Sequence, residues 1–203
     1  MSKGGKTALI VVGVIAVFVL MLAKCGVGTY NKMVSMDESV TSQWAEVQNQ
    51  YQRRYDLIPN LVATVKGYAA HESEVYEKVA EARSQAGGVV KVDESILNDP
   101  QAFARYQQIQ DQLGASLQRL LMVSENYPEL KADQNFLALQ DQLEGTENRI
   151  TVARKNFNDQ AQQYNSYIRT FPNNIIAAMS NFEKKQYFTA GSEAQTAPKV
   201  DFN

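Results

Sequence analysis

Carboxylates are the commonest reactive groups in this 203-residue chain, 22 against 20 lysines and arginines. On facing helices, glutamates combined with two Glu-x-x-His pairs could hold a di-iron centre. The chain has a single histidine, His71, and the residue three positions before it is Tyr68. With Cys25 as the one cysteine, no His/Cys cluster for zinc exists either, so the sequence predicts no metal site and no cofactor. No spacing gives His71 a nucleophile to serve. Beside Glu72 at a helix break, it reads as a surface or capping residue. Gly87-Gly88 has no flanking lysine-serine cradle for phosphate, and it reads as a turn. Carboxylate acid–base pairs stay open in principle, but no spacing singles one out. The chain offers no candidate catalytic residue.

What does stand out is a set of charged and amide side chains beside apolar stripes: Arg54, Asp56, Glu147, Arg149, Arg154, Asn158 and Asn165. Arginine forks opposite carboxylates make strong, directional hydrogen bonds, and the asparagines can link them. These residues are therefore the candidate polar network, structural or ligand-binding, and long facing helices must bring them together.

Apolar periodicity supplies those helices. From Met36 the apolar positions run 36, 40, 44, 47, 51, 55, 58, 62, 65, 69, 75 and 79, which is one stripe between about Tyr30 and Ser84. Pro59 either kinks this helix or follows a break capped by Asp56, and a further interruption is open near Gly67 or His71-Glu72-Ser73. After Gly87-Gly88, residues 89–100 read as a loop or a loop with a short strand-like run, VVKV being too short to establish a sheet. Phe103, Tyr106, Gln110, Leu113, Leu117, Leu120, Leu121 and Ser124 form the next stripe, ending at Tyr127-Pro128. A long helix from about Asp133 to Arg169 carries Phe136, Leu139, Leu143, Thr146, Ile150, Ala153, Phe157, Gln160, Tyr164, Tyr167 and Phe171 inward. Thr146 and Gln160 interrupt that seam, and Gly145 suggests close helix approach there. Asn173–Tyr187 is expected to form a last, shorter helix. The fold class is all-α, an elongated antiparallel bundle.

Thr7 to Ala23 contains no charge, and with Gly26–Tyr30 it is long enough to cross a bilayer. It is expected to be a retained anchor. Lys24 occupies the small-residue position that lipidation of Cys25 would require, so Cys25 is expected to stay unlipidated. The resulting division is a 1–6 flank, a 7–28 transmembrane anchor in the lipid bilayer, a 29–188 bundle and a 189–203 tail without regular structure. Lys3, Lys6 and the α-amine favour an extracytoplasmic bundle, although Lys24 and Lys32 follow the span. Without Lys3, Lys6 and Lys24, 17 basic side chains face 22 acidic ones. That balance argues against a nucleic-acid partner.

The chain resembles the LemA family of bacterial membrane proteins. The resemblance rests on Tyr30-Asn31, on Arg53 through Val62 (RRYDLIPNLV), on Tyr68-Ala69 with Glu72, and on Tyr127 through Ala132 (YPELKA). It continues through Glu144 to Ile150 (EGTENRI), Ala153-Arg154, Phe157-Asn158, Tyr164-Asn165, Phe171-Pro172 and Tyr187-Phe188, covering about residues 28–190. It implies an anchored all-helical bundle in the cytoplasmic membrane and carries no catalytic residues with it. Two functional readings remain: a membrane-anchored scaffold or interaction module with an unidentified protein partner, or a small-ligand or peptide sensor. An enzyme ranks below both.

Overall fold

The first helix, α1, spans Lys3–Tyr68 without a break, 66 residues or about 100 Å. It belongs to a computed structural model that describes residues 3–69, 72–88 and 92–189. The N-terminal part of α1 is long and apolar enough to cross a membrane, and its most apolar stretch is not buried against the protein at all. Val12, Val17, Leu20 and Met21 are each more than 60% exposed, so this segment is no core helix. From Met33 onward the same helix enters the bundle, burying Met33, Val40, Trp44, Val47, Tyr51, Ile58, Leu61 and Val65.

Pro59 lies inside α1 on its exposed face and does not end it. A mid-helix proline costs roughly 3 kcal/mol. Burial of Ile58, Leu61 and Val65 at about 1.5–3 kcal/mol each offsets that. The alternative of a cap at Asp56 is not realised: Asp56 is an exposed mid-helix residue accepting from Gln52 Nε2 at 2.7 Å. The inward register also differs from the apolar count. Arg54 and Leu61 are buried, whereas Tyr55 and Val62 are half-buried. The interruption falls instead after Tyr68, and α2 then runs Ser73–Gly87. His71 lies outside the described residues.

A short 3₁₀ turn, Glu94–Asn98, leads into α3, Pro100–Ser124. Asp99 caps α3 by accepting from the Gln101 and Ala102 amides at 2.9 and 3.0 Å, with Pro100 at the position that needs no N–H. After the single turn α4, Pro128–Lys131, Asp133 accepts from the Phe136 amide at 2.8 Å and starts α5, Gln134–Arg169. That hydrogen bond, with the Tyr68 hydroxyl, holds the Asp133 carboxyl below the usual carboxylate range. α5 is about 54 Å long and lies antiparallel against α1, while α2 packs on α3. Its inward face drifts along this length. Ala161, Asn165 and Ile168 are buried toward the C-terminus, while Gln160 is only half-buried and Phe171 is 77% exposed. A 3.6-residue helix slips about 20° per heptad against a strict seven-residue repeat.

The last helix is shorter than the sequence suggests. α6 covers Asn173–Met179 only. Asn181 takes φ 56°, and the Phe182 amide turns back to the Ala177 carbonyl at 3.0 Å, a glycine-type helix stop made by asparagine. Residues 182–189 then run extended along the bundle as a strap. Lys185 and Phe188 are only 8% and 7% exposed, so the strap is part of the core.

Candidate functional site: a polar layer and a clasped strap

The interior divides into two apolar clusters. The anchor-side cluster centres on Trp44, which lies against Phe103, Tyr106, Phe157 and Phe188 with ring centroids 5.2–6.2 Å away. The distal cluster includes Ile58, Leu61, Val65, Leu113, Leu117, Phe136 and Leu143. Between them each long helix contributes one buried polar residue at a stripe position: Arg54 from α1, Gln110 from α3 and Thr146 from α5, at 2%, 1% and 0% exposure.

Arg54 organises this layer. Its Nη2 donates to the Gln110 side-chain oxygen at 2.7 Å and to the Gln110 carbonyl at 2.9 Å. Its Nη1 reaches both Glu147 oxygens at 3.1 and 3.3 Å. Gly114 gives the guanidinium room, since a Cβ there would stand 3.4 Å from Nη1. One turn toward the anchor, Arg154 Nε donates to the Tyr51 hydroxyl at 2.6 Å, and its Nη2 pairs with Asp111 at 2.7 Å. Burial pushes the Tyr51 hydroxyl up, only partly opposed by Arg154 and Arg54, and burial likewise raises Tyr106. Burial also acts to lower Arg154, yet Tyr51 and Asp111 outweigh it and leave the group raised. Tyr51 and Tyr106 are therefore held as neutral phenols and Arg154 as a charged guanidinium.

The other candidates divide. Arg149 donates to Thr146 Oγ1 at 3.2 Å and to Gln50 at 3.3 Å, at the exposed edge of the layer. Asp56 stands apart from it. Asn158 and Asn165 serve the strap instead. Asn165 accepts from the Lys185 amide and donates to the Lys185 carbonyl, at 2.8 and 2.9 Å. Asn158 does the same to Phe188, at 2.9 and 2.8 Å. Gln107 of α3 repeats the motif on Thr189, at 3.2 and 2.6 Å. Seven helical residues rise about 10.5 Å and three extended residues span about 10 Å, so Asn158 and Asn165 match the 185–188 spacing. Gln107, Gln110, Asp111 and Tyr51 are absent from the polar set drawn from sequence. Gln110 on an apolar stripe was the available signal for one of them.

Thr146 donates to the Gln142 carbonyl at 2.7 Å and is fully buried. Gly145 plays no close-approach role, because a Cβ there would meet only the Arg149 guanidinium at ordinary contact, 3.6 Å. Gly145→Ala is therefore expected to stabilise the protein by up to ~1 kcal/mol through helix propensity. Thr146→Leu is expected to destabilise it by about 1–3 kcal/mol through overpacking and the acceptor lost to Arg149. Urea midpoints of the two variants, moving in opposite directions, check both.

Past the level of Thr189, the described residues of α3 and α5 line two clefts. A cleft of about 240 Å³ is lined by Arg54, Gln110, Asp111, Gly114, Glu147 and Arg154 among others. A neighbouring one of about 260 Å³ shares Gly114, Gln118 and Glu147 with it and adds Leu117, Leu121 and Leu143. Together they continue the strap's path along the bundle.

The fold and site define a helical-bundle protein with, among the described residues, one apolar helix long enough to cross a membrane. The family described as the LemA family matches residues 43–202, and the chain belongs to it. Magnetosome proteins MamQ 2 and MamQ 1 of Paramagnetospirillum magneticum are each 25% identical over 209 residues, covering 93% of this chain and 74% of theirs. MamQ of Magnetospirillum gryphiswaldense is 25% identical over 193 residues, 84% of this chain and 70% of its own. Protein LemA of Metamycoplasma hominis is 24% identical over 151 residues, 74% of this chain and 64% of its own.

Proposed function

We propose that this protein is a membrane-tethered interaction module that docks an extended segment of another polypeptide along the α3–α5 groove. The observation that carries the reading is the strap: three side-chain amides already grip an extended chain by its backbone, and the groove continues past the point where they stop. Backbone recognition of this kind tolerates varied side chains, as strand addition does at a sheet edge. The groove's charges neutralise one another, Arg54 with Glu147 and Arg154 with Asp111, which suits a peptide better than an anion. Gln110, buried at the groove wall, has an Nε2 donor with no acceptor. The role proposed is binding, and Lys3, Lys6 and the α-amine ahead of the span, against Lys24 and Lys32 after it, support an extracytoplasmic bundle.

A photo-crosslinking residue at Gln118 or Asn148, on the groove, tests this against one at Val152, exposed on α5 outside it. In native membranes the groove positions are expected to crosslink to one contiguous stretch of another protein, and Val152 is not. Crosslinks from the groove only to residues 190–203 of the same chain, or no crosslinks from it, would overturn the proposal.

A further inference from the structure

An exposed apolar surface lies at the anchor-side end of the described bundle. Ile175 and Met179 stand one turn apart on α6 and share a face, 52% and 81% exposed, and Phe171 in the turn just before α6 is 77% exposed. The opposite face of α6 is fixed. Ala177 is 4% exposed in the same cluster as Met33, and Ile176 packs against that cluster. Asn173 donates to the Tyr167 carbonyl at 3.2 Å. Directly after α6, the Phe182 ring lies 5.6 Å from Tyr30 of α1. The outward direction of the apolar face is thus set by packing.

Its height is set by α1. Tyr30 and Met33 stand about 3 and 8 Å along the helix axis from residue 28, where the apolar anchor ends. The headgroup zone extends roughly 5–8 Å beyond the hydrocarbon on each side. Exposed Lys24, Lys32, Arg169 and Lys184 surround this level, against exposed Glu38 and Glu183, while Asp37 is paired with Lys185 at 2.9 Å. Exposed apolar side chains near headgroup height, with basic residues on the neighbouring segments, suit an interfacial contact.

We infer that Phe171, Ile175 and Met179 form a foot that inserts into the leaflet nearest the bundle, giving the protein a second membrane contact beside its anchor. The foot rests on the reading of residues 7–28 as a membrane span. Two contacts, one spanning and one interfacial, fix which side of the bundle faces the membrane and stop it swivelling about α1. The groove is then presented at a constant orientation to anything on the same membrane.

The test uses the full chain with Cys25→Ser, reconstituted into phosphatidylcholine–phosphatidylglycerol vesicles with or without a spin-labelled lipid quencher. An environment-sensitive fluorophore is attached in turn to Val19→Cys, Phe171→Cys, Met179→Cys and Val152→Cys. The Phe171 and Met179 probes are expected to show blue-shifted emission and quenching comparable with Val19, while Val152 shows neither. Water-like, unquenched emission at both foot positions beside a quenched Val19 would overturn the foot and leave the anchor standing. An unquenched Val19 would overturn both.

Discussion

Trp44→Ala is expected to be the most damaging single substitution in the anchor-side half of the bundle, costing about 3–5 kcal/mol. The side chain is 1% exposed, and its ring contacts join α1 to α3 (Phe103, Tyr106), to α5 (Phe157) and to the strap (Phe188). Removing it opens a cavity at the one point where all four segments meet, and their lengths prevent local collapse. Trp44→Phe should cost much less. The indole N–H has no acceptor, so only volume is lost, and a buried donor without a partner disappears with it. Urea unfolding of the detergent-solubilised chain separates these outcomes. Equal, small losses for both variants would show that the aromatic cluster does not tie the segments together.

Arg54→Met is expected to cost about 2–4 kcal/mol, because it keeps the buried stem but leaves the Gln110 carbonyl and side-chain oxygen without their donor. Glu147→Gln should cost below about 1 kcal/mol. Its side chain is 41% exposed, so water replaces much of what the ion pair supplies. The asymmetry is the informative part. It follows from Arg54 acting as a donor to α3 more than as a partner to Glu147. If Glu147→Gln proved as costly as Arg54→Met, the layer would be held by the ion pair. If Arg54→Met were neutral or stabilising, an apolar layer would serve as well, and Arg54 would set helix register without adding stability.

Most of the helical architecture was readable because burial on a helix leaves a 3.6-residue imprint. The α3 and α5 stripes appear in the structure nearly as their apolar spacing indicates, and Asp99 and Asp133 stand where caps belong. The imprint misled at Arg54. Counting apolar residues assigned the inward position to Tyr55, but the arginine is inside because Gln110 and Glu147 meet its donors. No pattern rule sees partners that are 56 and 93 residues away. At Pro59 the imprint left a helix running through the proline and a break both open, and the structure keeps one helix because packing on the opposite face outweighs the local penalty.

The strap was illegible for a different reason. Ile175, Ile176, Met179 and Phe182 continue a helical rhythm, so the sequence suggests a helix to Tyr187. An extended segment buried between helices has no period of its own. Its hydrogen bonds go to Asn158, Asn165 and Gln107, and those side chains look like ordinary polar edge residues until the strap is beside them. The two asparagines could be singled out as polar candidates, yet their backbone-clasping role depends on a segment whose path only tertiary structure reveals.

The central claim is that the bundle grips an extended chain through its backbone, and residue-level amide hydrogen exchange on the full chain tests it most directly. The Lys185, Phe188 and Thr189 amides point to Asn165, Asn158 and Gln107, and the Gln186 amide donates to the Leu97 carbonyl at 2.8 Å. These four are expected to exchange slowly. Asn158→Ala should release Phe188 and Asn165→Ala should release Lys185, with the core amides of α1 and α5 still protected. Exchange of residues 182–189 at the rate of an unstructured peptide in the unaltered protein would contradict the account, as would slow exchange that neither substitution changes.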